Sequence, residues 1–229
     1  MARPFELHRL SSYKLMPAMR TAFAGSISRS FSSRSMSLVG LPGGHSLDGF
    51  YNGLGKLVPL EQRRHLFFFP VDERAVPATS KERNGPRLQQ ALCDCKLANP
   101  HQVLLPDAGD LKAYVQLLSA LAPDGADLLI FGVGEDGHIA SLFPKRKELE
   151  AKEEGWLEIE NSPKPPPHRV SISPNQIKLA KEIWLVFSGK TKQKALRMFL
   201  DSRVSVRECP AKLVLAGKHL MHVWTDQPA

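Results

Sequence analysis

The sequence predicts one α/β domain, in which a mostly parallel, twisted sheet carries helices on both faces in a doubly wound, Rossmann-like arrangement. Two observations lead to this prediction. From residue 36 onward, short apolar runs alternate with stretches of helical periodicity, which is typical of parallel sheets covered on both faces. The 229 residues also suit one large domain better than two small ones.

The first 35 residues form a basic segment rich in Ser and Arg, which we separate from a domain of residues 36–229. Four apolar side chains at four-residue spacing predict one stripe on a first helix over residues 16–31. They are Met19, Phe23, Ile27 and Phe31. The scarcity of acidic residues also resembles an organelle transit peptide, and this alternative stays open. Nucleic-acid binding is disfavoured, because the segment lacks interleaved aromatic residues and any recognised module.

The elements of the first half are predicted from apolar runs and the turns that end them. Residues 36–41 form an apolar run that stops at Pro42-Gly43-Gly44, and residues 65–71 form a Phe-rich run, so both are predicted strands. Residues 111–121 place apolar side chains on one side of a helix, and residues 126–131 form a buried-type strand that ends in a Gly-rich turn. Between these elements we expect helices over residues 47–57 and 87–95 and a short strand over residues 102–105.

The second half continues the alternation, with a Pro-rich connection between two short strands. The predicted strands are residues 156–159, 169–172, 183–188, 211–215 and 219–224, and the predicted helices are residues 174–180 and 191–200. In sheets of this class, ligands bind beyond the carboxyl ends of the strands, where the strand order switches. The Gly-rich and charged tripeptides of this chain follow predicted strands, so we expect a ligand site at that edge.

Composition limits the classes of function. Residues 1–47, with six basic residues and one Glu, account for +5 of the net charge of +8, and the mild surplus elsewhere suits a small anionic substrate. The apolar runs are too short to span a bilayer, so we expect a soluble protein that binds no membrane. Three irregularly spaced cysteines predict reduced thiols, no zinc site and a cytoplasmic location. We interpret His219, His222 and Asp226 as structural rather than as metal ligands.

Two glycine motifs resemble nucleotide-binding sites, but each lacks a feature that such a site requires. Residues 132–137 fit the G-x-G-x-x-G pattern of a dinucleotide site after a strand. That site needs a long helix at the turn, and Pro144 comes only seven residues later, where proline costs ~3 kcal/mol in a helix interior. Residues 189–191 (Gly-Lys-Thr) resemble the end of a P-loop, but Trp184 stands where its first glycine is required.

The turn Asp136-Gly137-His138 offers a carboxylate and an imidazole at the end of a predicted strand. Glycine permits the sharp bend and lets a substrate approach the backbone. An imidazole side chain titrates near neutral pH and can take a proton from water. Alone, such a turn is more often structural than catalytic, so the surrounding sequence must decide.

Residues 132–144 closely resemble the signature of the 6-phosphogluconolactonases, a Gly-x-Gly-x-Asp-Gly-His turn followed by Ser-Leu-Phe-Pro. Four further segments resemble the same family in the same order. They are a strand with a glycine turn at residues 38–47, an Asp-Glu-Arg motif at residues 71–77, a Pro-rich segment like that of eukaryotic members at residues 162–170, and a Gly-x-x-Lys turn at residues 188–192. Five ordered motifs are far more specific than any one of them.

The resemblance implies hydrolysis of 6-phospho-D-glucono-1,5-lactone to 6-phosphogluconate, a step of the pentose phosphate pathway, without a cofactor or metal. It implies His138 as general base, Asp136 as a group that orients others, and Asp72 as part of the same pocket. Acyl transfer to water needs a base, donors for the developing oxyanion and an anchor for the distant phosphate. The implied phosphate-binding residues are Gly43, Gly44, Ser46, Arg74, Arg169 and Lys192, whose charged members suit phosphate oxygens.

The first glycine turn departs from the family pattern, because Pro42 replaces the usual Ser and His45 is inserted before Ser46. This departure keeps open a non-catalytic sugar-phosphate-binding protein. A glucosamine-6-phosphate deaminase-like isomerase is a second alternative, since it shares the Asp-Gly-His turn. The Ser-Leu-Phe-Pro sequence at residues 141–144, where the deaminases have a Phe-Asn-Glu-Pro type sequence, and Arg74 in place of Tyr both favour the lactonase. We expect a monomer that binds a small phosphosugar lactone.

Overall fold

The computed structural model describes residues 4–44, 47–107 and 109–228. The strands are β1 (Glu6–Arg9), β2 (Ser37–Leu41), β3 (Leu66–Pro70), β4 (Asp72–Arg74), β5 (Leu128–Gly132), β6 (Trp156–Ile159), β7 (Arg169–Ile172), β8 (Glu182–Phe187) and β9 (Leu220–Thr225). The helices are α1 (Ser12–Phe31), α2 (Leu60–Arg63), α3 (Asn84–Asp94), α4 (Leu111–Leu121), α5 (Pro174–Lys178) and α6 (Gln193–Leu200). Short 3₁₀ helices lie at Leu54–Lys56, Pro100–Gln102, Lys147–Glu150, Lys190–Lys192 and Pro210–Ala216.

Six strands form a parallel sheet in the order β1-β9-β8-β5-β2-β3. The alternate side chains of β5 enter two different cores, as the pleat of a strand requires. Leu128 and Ile130 pack in the core that includes α1 and α3, whereas Leu129 and Phe131 pack in the core that includes α4 and α6. The predicted α/β class, with helices on both faces of a parallel sheet, is therefore confirmed.

The strand order switches between β2 and β5. From β2 the chain adds β3 on one side, and from β5 it adds β8 and then β9 on the other side. A crevice for ligands is expected beyond the carboxyl ends of the two strands that flank such a switch. The glycine turn at residues 42–44 follows β2, and the Asp-Gly-His turn follows β5.

The predicted first helix is present as α1, and it begins before residue 16. Its side chains buried in the core with the sheet include Leu15, Met19, Phe23 and Ile27. Ahead of it, β1 pairs in parallel with β9, a strand that the sequence does not reveal because it has four residues and no fully buried side chain. The domain boundary at residue 35 stays a prediction. No helix within the described ranges is long and apolar enough to cross a membrane.

The helix predicted over residues 47–57 is wrong. These residues form turns and 3₁₀ conformation, which includes the 3₁₀ helix at Leu54–Lys56. Gly49 and Gly53 adopt φ angles of +83° and +73°, which lie outside the right-handed helical region. The apolar spacing that suggested a helix instead buries Leu47, Phe50 and Leu54 from a sequence of turns.

Two predicted strands are also wrong. Residues 102–105 contribute only an isolated parallel bridge between Val103 and Phe68. Residues 211–215 lie in the 3₁₀ helix Pro210–Ala216, which buries most of its apolar side chains and pairs with no strand among the described residues. A short apolar run shows that a segment is buried, but it does not show which backbone conformation buries it.

The strands β4, β7 and β6 form a small antiparallel sheet. β4 is the Asp-Glu-Arg motif itself, and it starts two residues after the end of β3. Its register with β7 pairs Arg74 with Arg169. The small sheet thus carries three predicted site residues, Asp72, Arg74 and Arg169, to the edge at which the parallel sheet ends.

Candidate functional site

Predicted site residues from four adjacent strands meet at one edge of the parallel sheet. β8, β5, β2 and β3 are neighbours and run in the same direction, so their carboxyl ends lie side by side. The residues that follow these ends are Lys192 after β8, Asp136 and His138 after β5, Gly43 and Gly44 after β2, and Asp72 after β3. Ser46, and the inserted His45, lie outside the described residues.

The Asp136-Gly137-His138 turn holds its imidazole in one orientation. Nδ1 of His138 lies 2.5 Å from Oδ1 of Asp136, and the His138 backbone N–H donates to the same oxygen at 3.3 Å. Gly137 has φ +83°, a conformation that side chains with a Cβ rarely adopt. A Cβ on Gly134 would lie 2.0 Å from His138 Nδ1, so the ring occupies space that only glycine leaves. The sequence therefore builds this pair into the turn.

Asp136 carries a negative charge in the site. Burial raises its pKa, but the hydrogen bond and the charge of His138, together with the charge of Lys164, lower the pKa of Asp136 well below its usual range. When the His138 ring is neutral, a carboxylate at this position favours the tautomer with hydrogen on Nδ1, because it accepts a hydrogen bond from that N–H group. The opposite ring nitrogen, Nε2, is then the basic one, which is the arrangement that a general base needs.

The Ser-Leu-Phe-Pro segment links His138 to Arg169. The ring of Phe143 lies 4.5 Å from the ring of His138, centroid to centroid. On the same aromatic ring, the Arg169 guanidinium carbon lies 5.6 Å from the centroid, within reach of a cation–π contact. Sequence reasoning assigned no role to Phe143, although its motif was the strongest signal in the chain.

Asp72 is the centre of a buried hydrogen-bond network. Ser141 Oγ donates to its Oδ2 at 2.6 Å, and the Asn84 side-chain amide donates to its Oδ1 at 3.0 Å. Arg169 Nη1 lies 3.8 Å from the same carboxylate and donates to Ser141 Oγ at 3.3 Å. Neither Ser141 nor Asn84 was predicted as a site residue, and the quoted Ser-Leu-Phe-Pro motif is the one signal that pointed towards Ser141.

Arg169 spends most of its hydrogen-bonding capacity on the protein. Besides Ser141, its guanidinium donates to the backbone carbonyls of Lys164, Pro165 and Pro166 at 3.0–3.1 Å. The side chain is 5 % exposed. Burial lowers its pKa, and the nearby Asp72 offsets part of that change. The predicted anchor for phosphate is thus a side chain that already holds the Pro-rich segment against the site.

Arg74 pairs with Arg169 across the small sheet, but its guanidinium makes fewer hydrogen bonds to the protein. Its Nη1 donates to the carbonyl of Glu82 at 2.7 Å, and its Nε is buried with no hydrogen-bond partner among the described residues. Below it, the Glu73 carboxylate accepts the backbone N–H groups of Asn84 and Gly85, at 2.6 and 2.7 Å. These are the first N–H groups of α3, so Glu73 satisfies its amino terminus.

Lys192 approaches the site from the side of β8. It is the last residue of the 3₁₀ helix Lys190–Lys192 and the N-cap of α6, and its side chain is partly buried. Burial lowers its pKa, whereas the negative charges of Glu135 and Asp136 raise it and Lys164 lowers it. Its ammonium group makes no hydrogen bond or ion pair with the part of the chain that the structure describes. Lys164, an exposed residue of the Pro-rich segment, was not predicted as a site residue.

The glycine turn after β2 packs on the Asp72 network. A Cβ on Gly43 would lie 2.3 Å from the Asn84 Cβ, whereas a Cβ on Gly44 would meet nothing within 4 Å. A cavity of about 400 Å³ opens on the α3 side of this turn, and Tyr51 and Arg87 are among its lining residues. His138 does not line that cavity, so the site around His138 consists of hydrogen-bonded and charged side chains outside it.

Within the described residues, His219, His222 and Asp226 do not form a shared metal site. Nε2 of His219 lies 2.6 Å from the carbonyl of Val214. Asp226 accepts the backbone N–H of Gly189 at 3.0 Å. The His222 ring instead faces β1, where its Nδ1 lies 2.9 Å from Nε2 of His8. Their interpretation as structural residues stays a prediction for His219 and Asp226.

Comparisons with known proteins agree with the resemblance in sequence. The family described as glucosamine-6-phosphate isomerases/6-phosphogluconolactonase matches residues 11–224. The chain is 34 % identical over 203 residues to the 6-phosphogluconolactonase of Mycobacterium leprae, covering 81 % of both chains. It is 34 % identical over 194 residues to the 6-phosphogluconolactonase of Borreliella burgdorferi, covering 80 % of this chain and 81 % of the relative. Both relatives are bacterial, so the eukaryotic type suggested by the Pro-rich segment at residues 162–170 is not borne out.

Solved structures agree on the fold. The crystal structure of 6-phosphogluconolactonase from Thermotoga maritima superposes with a TM-score of 0.82 at 21 % identity, covering 96 % of this chain and 99 % of the other. The 6-phosphogluconolactonase from Trypanosoma cruzi superposes with a TM-score of 0.80 at 23 % identity, covering 97 % of this chain and 95 % of the other. At this level of identity, these similarities establish the α/β architecture alone.

Proposed function

Because this chain belongs to the glucosamine-6-phosphate isomerase/6-phosphogluconolactonase family, we propose that it hydrolyses 6-phospho-D-glucono-1,5-lactone to 6-phosphogluconate in the pentose phosphate pathway. The relatives at 34 % identity are 6-phosphogluconolactonases. The observation that carries the proposal is the hydrogen bond between Asp136 and His138 at the switch point of the sheet. It supplies an oriented base where an α/β protein binds its ligand.

In the proposed reaction, His138 activates water. Nε2 takes a proton as the water oxygen bonds to the lactone carbonyl carbon, and the carbonyl electrons move to oxygen. The Asp136 carboxylate stabilises the imidazolium that forms. The tetrahedral intermediate then collapses, the bond to the ring oxygen breaks, and the imidazolium returns its proton to that oxygen. The products are an open-chain acid and a neutral imidazole, so the residues of the site account for every proton.

We assign the phosphate chiefly to Lys192 and Arg74. Lys192 has an ammonium group without a protein partner in the described part of the chain, and Arg74 has a buried Nε in the same condition. Gly43 packs against Asn84 of the Asp72 network, so we propose that the backbone N–H groups of Gly43 and Gly44 assist, and Ser46 stays a prediction. Arg169 is better suited to positioning, since its donors hold the Pro-rich segment.

The two alternatives are less well supported. A deaminase-like isomerase would place an acid in the segment that here contains Ser141, and the Ser141 hydroxyl donates to Asp72 instead. A non-catalytic binding protein would have no need for the oriented Asp136–His138 pair. Three free thiols support a cytoplasmic location. The monomeric state and the lack of nucleic-acid binding stay predictions.

The test is a coupled assay in which glucose 6-phosphate is oxidised in place and the release of acid from the lactone is followed. We expect the wild-type protein to exceed spontaneous hydrolysis, and His138→Ala to lose roughly 10²–10⁴-fold in kcat, the usual contribution of a general base. His101→Ala removes an exposed imidazole elsewhere and is the matched control. Full turnover by His138→Ala would refute the assigned base.

A second assay separates the alternatives. Release of ammonia from glucosamine 6-phosphate, with no acceleration of lactone hydrolysis, would identify an isomerase. Binding of 6-phosphogluconate without turnover of either substrate would identify a non-catalytic protein. We expect lactone hydrolysis and no release of ammonia.

A further inference from the structure

A second cluster of side chains, of types that can bind a metal ion, lies on β1 and β9 at one edge of the parallel sheet. β1 is the edge strand opposite β3, and its register places Glu6 beside His222 and His8 beside Trp224. Three ligand-type atoms face one another there: His8 Nε2, His222 Nδ1 and Glu6 Oε2. None of these residues belongs to the site at the carboxyl ends of the strands.

The three atoms form a triangle of a size that suits a tetrahedral metal. The two ring nitrogens are 2.9 Å apart, His222 Nδ1 is 3.3 Å from Glu6 Oε2, and His8 Nε2 is 3.8 Å from the same oxygen. Ligands at ~2.0–2.1 Å from a tetrahedral zinc ion are separated by about 3.3–3.4 Å. The observed separations lie on both sides of that value, so small side-chain rotations suffice to close the site.

We propose that Glu6, His8 and His222 bind a divalent transition-metal ion of the Zn²⁺ class. Two imidazoles and one carboxylate are ligands that Zn²⁺ readily accepts, and they are a poor set for Mg²⁺ or Ca²⁺, which prefer oxygen. The Glu6 side chain is exposed, so water supplies the fourth ligand. The sequence prediction of no metal therefore applies to the reaction site and not to this cluster.

The surrounding residues hold both imidazoles in place. The ring of His8 stacks on Trp224 with centroids 3.9 Å apart. The other nitrogen of His222, Nε2, lies 3.6 Å from Oε1 of Glu182. That carboxylate is itself fixed, because Ser26 Oγ and the Trp184 indole N–H both donate to it at 2.7 Å. A small rotation of the His222 ring that brings Nε2 within hydrogen-bond distance of this carboxylate would favour the tautomer whose Nδ1 is free to bind a metal.

A metal here would connect the two ends of the chain. His8 and His222 are 214 positions apart, and β1 is a short edge strand that pairs with β9. Cross-links that close long loops give the largest entropic stabilisation in principle. An ion that binds the folded chain and not the unfolded chain also raises the melting temperature by mass action. The inferred role is a structural clip and is independent of lactone hydrolysis.

The experiment uses the full-length protein without a histidine tag, freed of metal by chelation and desalting. Zn²⁺ is titrated calorimetrically, and Co²⁺ is used as a spectroscopic substitute. We expect one Zn²⁺ per chain, a tetrahedral Co²⁺ spectrum without a thiolate charge-transfer band, and a higher Tm with metal. His8→Ala should weaken binding by roughly 100-fold or more, since even residues that merely orient metal ligands contribute 10–100-fold.

Controls separate this cluster from other binding groups. Glu6→Gln changes an exposed side chain, so it tests the site without threatening the fold, and we expect weaker binding by at least about 10-fold. His101→Ala and His138→Ala should bind Zn²⁺ as the wild type does. Equal affinity in His8→Ala, Glu6→Gln and wild type would overturn the proposal, as would a Co²⁺ spectrum with thiolate bands or the lack of stoichiometric binding.

Discussion

The two cationic regions of the site use their charges differently. We call Arg169 and the Asp72 carboxylate the arginine side, and Lys164 and Lys192 the lysine side. On the arginine side, Arg169 is almost fully buried and donates to Ser141 and to three backbone carbonyls. On the lysine side, the ammonium groups have no hydrogen-bond partner within the described ranges.

This difference teaches which charges the fold needs and which it leaves for a ligand. A buried charge must be paired and hydrogen-bonded by the protein, or it costs several kcal/mol. A partly exposed lysine keeps much of its hydration and can exchange water for phosphate oxygens when substrate arrives. We therefore expect changes on the arginine side to lower stability, and changes on the lysine side to weaken substrate binding.

The largest effect is expected for Asp72→Ala. This change removes the acceptor of Ser141 and Asn84 and leaves Arg169 without its nearest carboxylate. Breaking a buried pair by removing one partner costs about 3–5 kcal/mol, so we expect a loss of about 3 kcal/mol in the free energy of unfolding, measured with urea. Asp124→Ala, at an exposed carboxylate, should cost less than about 0.5 kcal/mol. A loss for Asp72→Ala as small as that of the control would end the distinction between the two sides.

The next effect is expected for Lys192→Ala, and it concerns binding. A hydrogen bond to a charged group contributes about 1.5–3 kcal/mol, so KM for the phosphorylated lactone should rise roughly 10–100-fold with little change in unfolding. Lys190→Ala, in the same 3₁₀ helix but exposed, is the matched control. Both variants should hydrolyse the unphosphorylated gluconolactone at the wild-type rate. An unchanged KM would remove Lys192 from the lysine side.

A smaller effect should distinguish two neighbouring glycines. A Cβ on Gly43 would overlap Asn84, including its Cα at 2.7 Å, whereas the space beside Gly44 is open. Overpacking of this kind typically costs 1–3 kcal/mol, so we expect Gly43→Ala to lose about 2 kcal/mol and Gly44→Ala less than about 1 kcal/mol. Thermal unfolding of the two variants side by side measures the difference. Equal losses in stability would show that the turn does not pack tightly against Asn84, which links it to Asp72 of the arginine side.

Local signals in the sequence were sufficient to predict which residues lie at the carboxyl edge of the parallel sheet. Each short apolar run that ends in a glycine or charged turn places that turn at the carboxyl end of a parallel strand, which is why Gly43, Asp72 and His138 could be assigned to one region. The first helix was equally predictable, because the four-residue spacing of its buried side chains is a local pattern. The wrong elements were short apolar runs whose backbone depends on tertiary partners.

The contacts within the site could not be read in the same way. In a sequence, Arg169 is a basic residue on a strand, and nothing local shows that Ser141 and the Pro-rich segment will take up its donors. The pair of His8 and His222 is a still clearer case, since its members are 214 positions apart and β1 was not predicted. Side chains that are joined only by the fold need the fold to be known.

The smallest effect concerns Asp136, which lies between the two sides and tests whether Lys164 belongs to the lysine side. Burial raises the pKa of Asp136, but His138 and Lys164 together lower it by more than burial raises it. The folded pKa of Asp136 therefore lies below its unfolded value. A depressed carboxyl pKa stabilises the folded state above the unfolded pKa, and this stabilisation disappears as the pH falls through the folded pKa. The wild type should therefore exceed Asp136→Asn in stability near neutral pH and lose that advantage in acid.

The size of this advantage must be small, because the Asp136 side chain is 39 % exposed and solvent screens its charge. We expect at most about 1 kcal/mol, reduced further by salt, in urea unfolding measured from neutral pH into acid. Lys164→Ala should shrink the advantage, since it removes a positive charge that holds the carboxylate ionised. If the advantage instead grew as the pH fell, or if Lys164→Ala left it unchanged, Lys164 would be an ordinary surface charge, and Lys192 alone would remain on the lysine side.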